Sequence, residues 1–183
     1  LGTAYLYEKA DNIALEDKLR RVNCTSGQSF TAPAIIIATG TVERLLHIPG
    51  EEEMIGRGVS FCAVCDAAFY RNKEVIVVGA GNAAFEESLY LAEFASHITI
   101  LARRDVYSAE QITQDKVMAH PKITVLPWRI PQEVIIENNR VAGLRVLNKE
   151  ANKEEIFTAK GIFPYIGADP VTEFCRNLKI TNE

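Results

Sequence analysis

Glu74-Val75-Ile76-Val77-Val78-Gly79-Ala80-Gly81-Asn82-Ala83-Ala84 is the stretch on which the fold turns. A short apolar, β-branched run leads into a glycine turn. The turn leads into a segment where Phe85, Leu89 and Ala92 recur at helical spacings of three and four. An apolar run without alternation marks a strand buried on both faces. The turn carries the pattern G-x-G-x-x-A. Gly79 permits the tight turn, Gly81 lets a phosphate approach the backbone, and the small Ala84 lets helix and strand pack closely. The helix start adds unpaired N–H groups and a partial positive charge. Gly79, Gly81, Asn82, Ala83 and Ala84 are therefore candidates for holding a dinucleotide pyrophosphate. A glycine-rich joint with no ligand is the bland alternative, and its setting between strand and helix argues against it.

Toward the C-terminus the spacing predicts a helix over 82–95, a strand over 97–101, a helix over 108–119 and a strand over 123–126. Ser108 and Gln111 read as a capping box opening the second helix, and His120-Pro121 stops it. This βαβαβ order implies a parallel sheet with right-handed crossovers. The first crossover strand ends in Arg103-Arg104 where an NAD site would carry an acidic residue. Two guanidinium groups there suit the 2′-phosphate of NADP(H), with a solvated basic turn as the alternative. After residue 130 the period changes to two. Residues 133–137 and 141–147 alternate around Asn138-Asn139 as a hairpin, 155–158 adds an antiparallel strand, and 160–166 reads as an apolar strand.

Toward the N-terminus, Cys62-Ala63-Val64-Cys65-Asp66 stands just ahead of the first strand. If the segment turns helically, two intervening residues let the sulfurs meet, and N–H groups at the turn's start favour a thiolate on the first cysteine. Asp66 can exchange protons during thiol–disulfide chemistry. A zinc site would need two further ligands, and the remaining cysteines and histidines are scattered. Further upstream, 3–9, 19–24 and 29–32 read as strands, 34–38 as a strand buried on both faces ending at Thr39-Gly40, and 41–58 as a loop-rich boundary.

The bulk properties narrow the field. A net charge of -4 supplies no basic field for nucleic acid. The longest apolar runs are far too short to cross a bilayer. The opening Leu-Gly-Thr-Ala-Tyr lacks the features of a secretory signal and reads as mid-protein sequence. Cys24 and Cys175 stand isolated and read as small apolar residues, so the close pair points to redox chemistry in a cytoplasmic protein.

Together these motifs resemble the bacterial-type, low-molecular-weight thioredoxin reductases. The likeness is carried by Ile48-Pro49-Gly50-Glu51, by Gly56 through Asp66, by the Gly79 loop and by Arg103-Arg104-Asp105. Ala38-Thr39-Gly40 and Gly161-Ile162-Phe163 with Ile166-Gly167 resemble the segments where that family's chain leaves and re-enters its flavin domain. The resemblance implies an α/β fold: a Rossmann-like ββα three-layer nucleotide-binding domain with a parallel sheet and an antiparallel β-meander, plus part of an FAD domain. It divides the chain into 1–44 (FAD domain), 45–158 (pyridine-nucleotide domain with the C-x-x-C) and 159–183 (return to the FAD domain), with hinges near Thr41–Leu46 and Thr158–Gly161.

It also implies that Thr39, Gly40, Ile166 and Gly167 serve cofactor binding. Electrons would pass from NADPH through FAD to the Cys62–Cys65 disulfide, and on to thioredoxin or a similar small disulfide protein. Cys65 would face the flavin, Cys62 would attack the partner, and Asp66 would handle protons. The complete protein is expected to be a homodimer. The family's flavin loop and Gly-Asp segment do not occur in these 183 residues, so FAD is expected of a longer protein and the chain alone is expected to be inactive. Ala102 and Ser108 stand where the family commonly has His and a third Arg, which thins the phosphate clamp. Two other readings share the motifs: the reductase part of a peroxiredoxin-reducing system, and a nucleotide-binding module without turnover.

Overall fold

The computed structural model describes residues 2–16 and 18–178. In chain order its strands and helices are β1 (Ala10–Glu16), β2 (Leu19–Cys24), β3 (Ser29–Ala32), β4 (Thr41–Glu43), α1 (Ala63–Asp66) and β5 (Glu74–Val78). There follow α2 (Asn82–Leu91), β6 (His97–Leu101), α3 (Gln111–Met118), β7 (Ile123–Leu126), β8 (Arg129–Glu137) and β9 (Arg140–Asn148). β10 (Lys153–Thr158), β11 (Gly161–Pro164) and β12 (Ala168–Pro170) complete the order. The described chain separates into two compact units, residues 2–42 with 169–178, and Glu43–Ala168.

The smaller unit is an antiparallel β1-β2-β3 sheet. Its 24–28 turn closes through Cys24 N–H to the Gln28 carbonyl (2.9 Å) and Gly27 N–H to the Cys24 carbonyl (3.0 Å). Ile13, Cys24 and Cys175 are its buried apolar residues, and the Asn177 amide donates to the Ile13 carbonyl at 2.7 Å. Two sequence expectations fail here. Residues 3–9 form no strand; pairing starts at Ala10, where β2 offers a partner. Residues 34–38 also form none, and Ile36 is 93% exposed. An apolar β-branched run becomes a buried strand only beside neighbours that pair with it, and the described residues supply no such neighbour.

The larger unit is built on a parallel sheet ordered β11-β5-β6-β7. β5 is central because its apolar run is buried on both faces, as alternation along the strand requires. Val75 and Val77 face one cluster with Ile98, Ile100, Phe85, Leu91, Val117 and Phe163. Ile76 and Val78 face the other, with Leu101, Ile162, Val134, Val141, Leu144 and Val146. Helices α2 and α3 cover the first face and the β10-β9-β8 meander the second, giving three layers. Each fully buried aliphatic side chain contributes about 1.5–3 kcal/mol, so this double core dominates the unit's stability.

The β8–β9 hairpin turns at Asn138 (φ 51°) and Asn139 (φ 59°), the left-handed pair a two-residue turn of matching twist needs. α2 stops at Leu91, short of the expected 95. The Lys122 ammonium donates to the carbonyls of Ala92 (2.8 Å) and Ala95 (3.0 Å), satisfying groups a continuing helix would have used. β11 pairs in parallel with β5, from Gly161 beside Val75 to Pro164 beside Val78. The strand that sequence reading assigned to the flavin-domain return thus lies in this sheet. The chain leaves the unit at Ala168 rather than at 158, and 179–183 of the expected return segment lie outside the described residues.

Candidate functional site

The Cys62–Cys65 disulfide is formed by how α1 begins. Ser60, itself buried, accepts the Cys62 N–H through its hydroxyl at 3.2 Å, fixing the approach to the helix. Cys62 takes the N-cap position in extended conformation (φ -136°), and its sulfur accepts the Cys65 N–H at 3.2 Å. One helical turn brings the two Cα atoms to 5.3 Å, and the sulfurs are joined as a disulfide. Asp66 follows directly; its N–H donates to the Cys62 carbonyl at 3.1 Å and its side chain is half-buried. Cys65 is exposed and Cys62 half-buried. The remaining cysteines, Cys24 and Cys175, are buried free thiols.

The glycine loop lies at the C-terminal end of β5. Gly79 has φ +142°, and a Cβ there would collide with the Tyr165 carbonyl oxygen and reach within 3.1 Å of the Ala84 Cβ. Ala84 is completely buried, as the close strand–helix approach demands. Gly81 is the N-cap of α2 and gives no side-chain cap, leaving the first turn's donors open to a ligand. Gly81's nearest neighbour is the Ser108 hydroxyl, 3.5 Å from where a Cβ would stand. The exposed Asn82 side chain accepts the Glu110 N–H at 2.7 Å, and the Ser108 and Ala109 N–H groups donate to the Ala80 carbonyl at 2.9 and 3.3 Å.

These bonds correct the reading of Ser108. It caps no helix: α3 starts at Gln111 after an N-cap Glu110 that makes no side-chain bond. The Gln111 amide instead donates to Asp115 at 2.7 Å. Residues 108–110 are drawn back onto the glycine loop, so helical geometry cannot begin until the chain is released. Arg103 and Arg104 project exposed just beyond β6, and among the described residues neither forms a hydrogen bond or ion pair. Ala102 is wholly buried, its N–H on Leu126 and its carbonyl accepting from Arg129, a place with no room for an imidazole.

Cys62, Cys65, Asp66, the Gly79–Ala84 loop, Arg103, Arg104, Ile166 and Gly167 thus fall in one unit, whereas Thr39 and Gly40 belong to the other. Thr39 donates its hydroxyl to the Val171 carbonyl and Gly40 accepts the Val171 N–H at 3.0 Å. Gly167 accepts the Arg44 N–H at 3.0 Å, beside the exposed Ile166.

Sequence reading gave no structural role to three residues whose bonds or burial stand out in this unit. Glu51, buried to 1% exposure, accepts the N–H groups of Leu46 and His47, both at 2.8 Å, and closes the turn over residues 46–51. Tyr165 offers its hydroxyl oxygen to the Ala63 N–H at 3.0 Å. Burial first, and then the Glu87 charge, push that hydroxyl well above the usual phenol range, with the Ala63 N–H acting in the opposite sense. Glu87 has a buried Oε2 with no hydrogen-bond partner among the described residues. Burial, then Glu86, raises its carboxyl above the ordinary value. A tyrosine placed just after a buried strand was the available signal, since a half-buried phenol needs a partner for its polar tip. Among the described residues no cluster of three His, Cys, Asp or Glu side chains can hold a metal, and no helix is long and apolar enough to cross a membrane.

Residues 3–183 match the family model described as pyridine nucleotide-disulphide oxidoreductase. A thioredoxin reductase of Listeria monocytogenes is 38% identical over 182 residues, covering 100% of this chain and 57% of that protein. One of Bacillus subtilis matches at the same identity and the same shares. Among solved structures, the Lactococcus lactis thioredoxin reductase in its FR conformation superimposes with a TM-score of 0.84 at 38% identity, over 97% of this chain and 58% of that one. The chain spans about 57% of the length of these curated relatives.

Proposed function

Because this chain belongs to the pyridine nucleotide-disulphide oxidoreductase family, we propose that it is the NADP(H)-binding, dithiol-carrying part of a longer flavoprotein that reduces thioredoxin or a similar small disulfide protein. The observation that carries this reading is a disulfide closed across the first turn of α1, in the same unit as a glycine loop that leaves a helix start open. The bound nicotinamide and FAD would supply the two electrons. Gly79, Gly81 and the first turn of α2 would hold the pyrophosphate, and Arg103 and Arg104 the 2′-phosphate.

Opening the Cys62–Cys65 bond takes two electrons and two protons and leaves two thiols. The Cys62 thiolate, favoured by the Cys65 N–H aimed at its sulfur, attacks the partner's disulfide and forms a mixed disulfide, releasing one partner thiol. Cys65 then attacks the Cys62 sulfur, restoring the internal disulfide and releasing the second partner thiol. Asp66, one residue on, is the proposed carrier for the protons these steps exchange. Two buried free thiols beside a single catalytic disulfide favour a reducing compartment, and we place the protein in the cytoplasm.

NADPH-dependent thioredoxin reduction by the full-length protein tests the reading. Cys62→Ser and Cys65→Ser should each abolish it while leaving NADPH binding intact. A double serine variant that still reduces thioredoxin would sink it.

A further inference from the structure

One side chain joins the redox turn to the glycine loop. Tyr165 follows β11; its N–H donates to the Val78 carbonyl at 2.7 Å, and its own carbonyl closes over Gly79 so that no side chain fits there. Its ring stacks on Phe163 at 6.4 Å between centroids. Its hydroxyl oxygen accepts the N–H of Ala63, a residue buried away from solvent. Backbone and ring of one residue therefore grip both halves of the site, 102 positions along the chain from Ala63.

We infer that Tyr165 is a positioning residue of the redox pair: by engaging the Ala63 N–H it withholds that donor from Cys62 and keeps the Cys62–Cys65 couple more reducing than the bare turn would be. The inference rests on the disulfide-exchange role proposed above. A thiolate at the start of a helical turn is stabilised by the N–H groups around it, and a couple whose dithiol form is stabilised becomes more oxidising. Of the amides of Cys62, Ala63, Cys65 and Asp66, that of Cys65 is directed at the sulfur and the other three are engaged elsewhere. The Ser60 hydroxyl takes the first, the Tyr165 hydroxyl the second and the Cys62 carbonyl the fourth. The charged groups acting on the Tyr165 hydroxyl are Glu87, Glu43 and Asp66, all acidic, and with burial they hold it neutral. A neutral phenol keeps the Ala63 N–H engaged without adding charge of its own near the sulfur.

The test is equilibration of the chain with glutathione buffers. The internal disulfide breaks as two glutathione thiols give up two electrons and two protons, yielding the dithiol and one glutathione disulfide. Tyr165→Phe keeps the ring and removes the hydroxyl. It should shift the equilibrium toward the dithiol by roughly three- to tenfold, about 15–30 mV, and lower the Cys62 thiol pKa read from alkylation rate against pH. Tyr70→Phe, in a ring 5.2 Å from Phe163, should move neither. In wild type the Ala63 amide should exchange slowly with solvent hydrogen, and quickly in Tyr165→Phe, with the Cys65 amide unchanged. A folded Tyr165→Phe with unaltered equilibrium and unaltered Cys62 pKa overturns the inference, as does an unprotected Ala63 amide in wild type. A wild-type pair that does not exchange with glutathione at all overturns the reading of function, and this inference with it.

Discussion

Gly79 and Tyr165 leave each other no room, and that makes Gly79 the most sensitive single position in the larger unit. Gly79→Ala adds a methyl against the Tyr165 carbonyl at φ +142°, a region hostile to any Cβ. The expected cost is about 3 kcal/mol in urea unfolding, together with loss of NADP(H) binding as the loop is displaced. Arg103 and Arg104, both exposed and without a partner among the described residues, should carry the coenzyme preference. We expect NADP(H) to bind about tenfold better than NAD(H), roughly 1.4 kcal/mol, with only two arginines contributing. Arg103→Ala with Arg104→Ala should erase that margin and leave NAD(H) binding nearly unchanged in calorimetric titration; a double variant that keeps its preference disproves the assignment. Glu87 adds a pH signature. Its carboxyl is raised by burial and then by Glu86, so the folded state holds its proton more tightly than the unfolded chain. That contribution is complete below the ordinary value of 4.5 and is lost as pH rises through the raised one. Glu87→Gln should remove this loss, so the difference in melting temperature between variant and wild type should grow in the variant's favour with rising pH. The glycine loop and the close cysteine pair were legible in sequence as local spacings, the one opening α2 and the other joined as a disulfide. Glu51, Glu87 and Tyr165 were not, because their value comes from partners that only the folded chain brings within reach.

At the level of elements, strands β5, β6 and β7 were readable to the residue, since an apolar run bounded by polar turns has few other uses. Helix ends were less so. The Ser108–Gln111 pattern satisfies the capping-box rule, yet tertiary bonds from residues 108–110 to the glycine loop outcompete it. A stability comparison separates the two accounts. Ser108→Ala should cost under about 0.5 kcal/mol, whereas a true cap would cost about 1. Asn82→Ala, which strands the Glu110 N–H, should cost about 1 kcal/mol and loosen the start of α3 in hydrogen exchange. The meander was recognisable from Asn138-Asn139, whose left-handed conformations tolerate few side chains. Asn138→Val should cost about 1–2 kcal/mol through that turn alone. Residues 34–38 show the opposite limit: composition announced a buried strand, but burial is a property of neighbours.

For the whole molecule, the described chain falls into two compact units, and it crosses between them twice, before Glu43 and after Ala168. The second could not be read from sequence, because β11 looks the same whether it joins β5 or another sheet. The larger unit is one continuous stretch with a core on both faces of its sheet, so Glu43–Ala168 expressed by itself should fold cooperatively and retain NADP(H) binding. A molten or insoluble product would show that its core is insufficient. The way this unit begins and ends bears on how it can be joined to other sequence. Arg44 donates its N–H to the Gly167 carbonyl at 3.0 Å, so the two ends of a stretch more than a hundred residues long emerge side by side. A segment with adjoining ends can be spliced into a surface turn of a host without stretching either, and its loss need leave only a short loop behind. The separation of two backbone atoms thus lets this unit be grafted as a single cassette that carries its Cys62–Cys65 disulfide with it.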